Sequence, residues 1–191
     1  MAPRVKIKRE CIIEAGVELI RRGGAESINA RSIAKYLGCS TQPVFSNFAT
    51  MEELHKSILT RVDEIYKEYT LKEMERTDIP PYKAVGTAYI RFAKEEKQLF
   101  MHLFMRRRNE GERQDDSSLE GLYDMMERST GLSPEGVRLL HLENWAFVHG
   151  IAAMIVTDYL DLTWELIEQM MTDVYQGILG RLLEEEGHES H

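Results

Sequence analysis

The chain has 191 residues, with 24 Lys and Arg against 32 Asp and Glu, a formal net charge of −8 and 43% hydrophobic residues. That length allows one large domain or two small ones with a sizeable core. The acidity excludes a uniformly basic nucleic-acid coat, yet residues 1–60 carry +3 and the remainder −11, as expected where only a head approaches a polyanion and the body stays off it.

Taken in chain order, basic residues first concentrate at Arg4, Lys6, Lys8 and Arg9. An N-terminal arm there, with Lys6 and Lys8 in particular, is expected to run along phosphates. The stretch MAPRVKIKRE then enters an amphipathic helix containing Glu10 and Glu14 and does not form an apolar leader. No apolar run is expected to reach membrane-spanning length, so the expectation is a protein of the reducing cytoplasm with no membrane partner. Cys11 and Cys39 stand at no spacing that builds a disulfide framework or a zinc site. Both are expected to be buried small hydrophobes, Cys11 on a stripe of Ile7, Cys11, Ala15 and Leu19, and Cys39 at the inward position of a turn.

Asn29 to Phe48, NARSIAKYLGCSTQPVFSNF, has the pattern of a DNA-reading helix-turn-helix. Asn29 caps a short helix, Ile33, Ala34 and Leu37 give it an apolar face, and Gly38 ends it. Ser40 restarts a helix in which Val44 and Phe48 face inward. Thr41, Gln42, Ser46 and Asn47 are left outward, with donors and acceptors suited to base edges. Pro43 falls in the first turn, where backbone N–H groups have no intrahelical partner. Thr50 and Glu53 form a capping box opening the next helix. The bland alternative is an ordinary corner between two helices.

Beyond Ile58 the pattern stays helical, with segments expected at about residues 51–77, 82–96, 98–106, 117–129, 134–160 and 163–185, and a disordered tail after Gly187. The run Arg106 to Arg108 reads as a solvated loop. Aromatic and methionine residues recur at helical spacing, either as plain core or as the lining of an apolar ligand pocket; the candidates are Phe92, Phe104, Tyr123, Met126, Trp145 and His149. His149 either donates to a ligand or satisfies a buried partner on a neighbouring helix. His102 and His141 lack ligand-spaced companions, so no metal is expected and no cofactor is implied. Apolar stripes on the last two helices, with Ile155, Leu166, Met170, Val174 and Gly177, are best explained by burial in a dimer, the alternative being packing within one chain. No Ser/His/Asp, Cys/His, metal-ligand or phosphate-loop arrangement supports an enzyme.

Ile12 to Gly24 (IIEAGVELIRRGG), Ser32 to Phe48 and Thr50 to Ile58 (TMEELHKSI) together resemble the N-terminal domain of TetR-family transcriptional regulators. Trp145 to Val156 (WAFVHGIAAMIV) is similar to a C-terminal helix of a subset of that family, with Trp145, His149 and Gly150 at matching spacing. The resemblance implies an all-α protein: an N-terminal three-helix helix-turn-helix DNA-binding domain, residues 1–50 or to about 60 with the linking helix, then a helical ligand-binding and dimerisation domain, residues 61–187. It further implies a homodimeric repressor on a palindromic double-stranded operator, released by a small hydrophobic effector. The alternative is an architectural or constitutive DNA-binding protein of the same fold. Carried over residue by residue, its DNA contacts fall on Arg31, Thr41, Gln42, Pro43, Phe45, Ser46 and Asn47.

Two positions depart from the family pattern: Phe45 stands where tyrosine is usual and Met51 where lysine is usual. Each removes a polar backbone contact, so DNA affinity is expected to depend less steeply on salt. A Met51→Lys variant is expected to steepen the plot of log K against log salt; an unchanged slope would reject the reading.

Overall fold

The computed structural model describes residues 7–107 and 119–189, and among these the regular elements are helices. In chain order they are α1 (Arg9–Gly23), a 3-10 turn (Ala25–Ser27), α2 (Ala30–Tyr36), α3 (Gln42–Asn47), α4 (Met51–Met74), α5 (Pro81–Glu95), α6 (Lys97–Phe104), α7 (Glu120–Thr130), α8 (Pro134–Val156) and α9 (Trp164–Glu189). The fold is all-α. The largest shifts from the expected boundaries are at the ends of the last two helices: α8 stops at Val156, and α9 runs through Gly187 to Glu189, where a disordered tail is expected. The Thr157 hydroxyl donates to the Ala153 carbonyl at 2.7 Å and Asp158 turns to a positive φ of 55°, which together end α8. Arg4, Lys6 and Arg108 lie outside the described residues.

Contacts divide the chain into two compact units, Met1–Glu68 with Glu95–Arg106, and Tyr69–Lys94 with Arg107–His191. In the first, α1 touches α2, α3, α6 and the 3-10 turn. Its buried residues are Ile12, Ala15, Gly16, Val17 and Ile20, so the inward stripe lies one residue beyond the expected one, and Cys11 is exposed. The reason is α4: a Cβ on Gly16 would collide with the Ile58 side chain, so α1 turns its glycine face to that neighbour. Cys39 is half-buried.

The sequence reading assigns α6 to the second domain, whereas the structure gathers it into the first unit. Leu99 and Phe100 are fully buried, and Arg21 of α1 forks onto Glu96 through Nε at 2.9 Å and Nη2 at 2.8 Å. Phe104 packs edge-on to Tyr66 and against Phe100, both at 5.1 Å between ring centroids.

In the second unit, α7, α8 and α9 enclose a core of Met126, Leu132, Val137, Leu140 and Leu182. Ser133 caps α8 by accepting from Gly136 N–H at 3.1 Å, and Glu186 accepts from the Ser133 backbone at 3.0 Å and hydroxyl at 2.6 Å. The nearly buried Glu73 carboxylate is held by Arg91 at 2.6 Å and Arg76 at 3.1 Å. Contrary to expectation, α8 is long and apolar enough by length and composition to span a bilayer. Val137, Leu140, Val148 and Ile151 are buried, as in the core helix of a bundle.

His102 of α6 has a buried Nε2 with no hydrogen-bond partner. Burial first, then the Arg106 guanidinium and the His55 ring of α4, hold its pKa below the ordinary imidazole range. Because folding disfavours the protonated ring, this contribution is complete above the ordinary value of about 6.5 and is lost as pH falls below it. The unfolding midpoint is therefore expected to drop between about pH 7 and pH 5, and to drop less in His102→Gln. Parallel curves for the two proteins in a pH series of thermal melts would reject the assignment.

Candidate nucleic-acid interface

Local chemistry builds the helix-turn-helix. Asn29 Oδ1 accepts from the backbone N–H of Ser32 at 2.9 Å and of Arg31 at 3.1 Å, while Ser32 Oγ accepts from Asn29 N–H at 3.0 Å. This reciprocal cap satisfies three donors at the start of α2. At its end Gly38 takes a φ of 65°, its N–H bonds the Lys35 carbonyl at 3.3 Å, and Cys39 N–H reaches back to Ala34 at 2.9 Å. The crossed bonds form a Schellman turn, which needs a left-handed residue at Gly38. Thr41, not Ser40, is the residue before α3, and Pro43 sits in its first turn.

Val44 and Phe48 are 1% and 2% exposed, which fixes the inward face of α3. Gln42, Phe45 and Ser46 are exposed, Thr41, Pro43 and Asn47 half-buried, and Arg31 and Lys8 exposed. Phe45, at 59% exposure, is a bare ring offered to solvent. The expected contacts therefore divide. The Ser46 hydroxyl donates to the Gln42 carbonyl at 2.8 Å, and Asn47 Nδ2 donates to the Pro43 carbonyl at 2.8 Å and to Ile7 at 3.4 Å. Gln42 and Phe45 project beyond these internal bonds.

The capping box at α4 is present with its register shifted. Glu53 N–H donates to Thr50 Oγ1 at 3.1 Å, and Glu53 Oε2 accepts from Ala49 N–H at 2.9 Å. That backbone bond first, and Arg9 second, hold the Glu53 carboxyl below its usual range.

The ligand-pocket candidates fall in separate places, with Tyr123 packed against the core cluster of Met126, and Trp145 against His149. Phe104 belongs to the first unit, while Phe92 and Met126 are fully buried, Phe92 beside Tyr69 at 5.4 Å and Met126 within the core. Tyr123 packs edge-on to His141 at 5.5 Å and lines an open depression of about 200 Å³ with Glu120, Asp124, Glu127, Pro134 and Arg138. Trp145 stacks on His149 at 5.2 Å, and His149 Nδ1 pairs with the Tyr89 hydroxyl at 2.8 Å, the partner on a neighbouring helix. Burial holds the His149 pKa below its ordinary value. Among the described residues no three His, Cys, Asp or Glu side chains form a metal-binding group. Of the dimer candidates, Ile155 is 5% exposed within its own chain, Met170 and Val174 are half-buried, and Leu166 and Gly177 are exposed.

Losing the Asn29 cap is expected to cost about 1 kcal/mol. Urea unfolding of Asn29→Ala measures this, with Asn29→Asp expected near the wild type; equal midpoints for all three proteins would reject the cap as a source of stability.

Residues 82–174 match a family described as the tetracyclin repressor-like C-terminal domain. Among solved structures, a TetR family member from Streptomyces coelicolor A3 superposes with a TM-score of 0.63 at 16% identity, covering 87% of this chain and 96% of that one. A putative TetR family transcriptional regulator from Vibrio parahaemolyticus superposes with a TM-score of 0.61, also at 16% identity, covering 90% of this chain and 98% of that one. No curated protein matches the chain. Residues 82–174 therefore belong to the tetracyclin repressor-like C-terminal domain family, and the fold, with a capped helix-turn-helix ahead of that domain, is the one shared with these TetR family structures.

Proposed function

We propose that the chain is a homodimeric cytoplasmic repressor that reads a palindromic operator through α3 and leaves it when a small hydrophobic ligand enters the second unit. The outward face of α3 carries this reading: Gln42, Phe45 and Ser46 are exposed on a helix whose opposite residues, Val44 and Phe48, are buried. A glutamine amide pairs in two-pronged fashion with adenine, and an aromatic ring packs on a thymine methyl. Arg31 and Lys8 supply phosphate contacts that set register without reading sequence.

Dimerisation is assigned to α8 and α9. They leave Leu139, Leu142, Leu166 and Leu183 exposed at 39%, 57%, 43% and 44%, and a Cβ on Gly177 or Gly180 would meet nothing within 4 Å. A second copy of the chain covers these leucines and places two reading heads on one duplex. The ligand is assigned to the surroundings of Trp145 and His149, where an aromatic face adjoins a polar ring edge. One observation favours a constitutive DNA-binding protein instead: Phe92 and Met126, two candidate lining residues, are fully packed.

Selection of duplexes from a random library is expected to yield a palindrome, and Gln42→Ala to relax base preference while changing affinity for random DNA little. Equal losses on both duplexes would remove Gln42 from the reading face. Light scattering is expected to give twice the chain mass, reverting to one in Leu142→Glu with Leu166→Glu. Apolar compounds that raise the melting point and free the operator support the effector; stabilisation with the operator retained supports the constitutive reading.

A further inference from the structure

Arg9 carries the same charge as its neighbour Lys8 but is engaged differently. Its guanidinium lies over the Phe48 ring, 4.4 Å from the centroid, and Nη2 donates to Ser57 Oγ at 2.9 Å and Glu53 Oε1 at 3.2 Å. Phe48 is the residue at which α3 ends, with extended backbone angles of φ −133° and ψ 125°. Glu53 and Ser57 stand one turn apart on α4, and Glu53 also accepts from Ala49 in the turn between the two helices. Asn47, the last residue of α3, reaches the Ile7 carbonyl just ahead of α1. The first turn of α1 is thereby fastened to the exit of the reading helix and to the start of α4.

Six residues of helix cannot hold their own direction in water. The orientation of α3 depends on what grips its ends, and at the exit that grip is Phe48 beneath Arg9.

We propose that Arg9 is a positioning residue for DNA reading, orienting α3 through Phe48, Glu53 and Ser57, and is not a phosphate contact. The role rests on the reading of operator DNA by α3 given above. A planar guanidinium presents its face to a ring while its edge serves two acceptors; the point charge of a lysine does not do both. Glu53 offsets the charge at short range, so the group offers little to a passing phosphate.

The test uses the full chain, the duplex recovered by selection with the wild type, and a random duplex of equal length. Arg9→Ala is expected to weaken the selected duplex by about fivefold, the sum of an exposed ion pair and a cation–π contact, and the random duplex by less than about twofold. The dependence of affinity on salt stays parallel to that of the wild type, and Arg9→Lys, which restores charge without the planar face, follows Arg9→Ala. Ser57→Ala removes a single acceptor and is expected to shift affinity the same way by less, which secures the result if Arg9→Ala folds poorly. Recovery by Arg9→Lys overturns the proposal, as does a salt slope in Arg9→Ala reduced by about 0.9 with equal losses on both duplexes, the mark of one lost phosphate contact. A wild type that selects no sequence overturns the reading by α3 and this role with it; a selective wild type with unaltered Arg9 variants overturns only this role.

Discussion

The close approach of α1 to α4 at Gly16 is the constraint on which the first unit depends. Ile58 fills the space a side chain at position 16 would take, and Ile12, Val17 and Ile20 are buried with it. Because α1 touches α2, α3 and α6, its seating on α4 fixes where each of them lies. The helix-turn-helix is too short to be stable alone, and what makes it a rigid reading surface is this shared support. A residue larger than glycine at position 16 has to displace the Ile58 side chain or α1 itself.

Charge in the first unit follows the same architecture. Arg9, Arg21 and Arg61 are each tied to carboxylates of their own unit: Glu53, Glu96 and Glu14 respectively. Arg22 lies over the Tyr36 ring at 5.2 Å. Among the described residues of 1–60, Lys8, Arg31, Lys35 and Lys56 are exposed cations outside these pairs. On the proposed reading of DNA, these cations set position on the phosphates and contacts at base edges supply discrimination.

What was legible in the sequence was local. The Asn29 cap, the Gly38 turn, the inward pair Val44 and Phe48, and the Thr50 to Glu53 pairing all depend on residues within five positions of one another. The face of α1 is ambiguous in sequence because Ile7, Cys11, Ala15 and Leu19 repeat as well at four-residue spacing as the buried face does, and the residue that decides between them, Gly16, has no hydrophobic side chain to mark it. Nothing local announces that α6 joins α1, since Arg21 and Glu96 are 75 positions apart. Helical spacing likewise places Phe92, Met126 and Trp145 on faces without stating which neighbour each face meets.

The reading face also carries an exchange built into α3. The Ser46 hydroxyl and the Asn47 amide already donate to carbonyls of their own helix, at 2.8 Å each. Turning either toward a base edge replaces one hydrogen bond by another, and the net gain is a fraction of the value of the new bond. A wrong base then costs these residues little, because the internal bond is recovered. Gln42, exposed one turn earlier, and the bare Phe45 ring have no such bond to return to, so a mismatch beneath them leaves an amide or an apolar face without its complement. On the proposed reading of DNA by α3, discrimination accordingly concentrates in its first turn and at Phe45, and its last turn holds the helix in place.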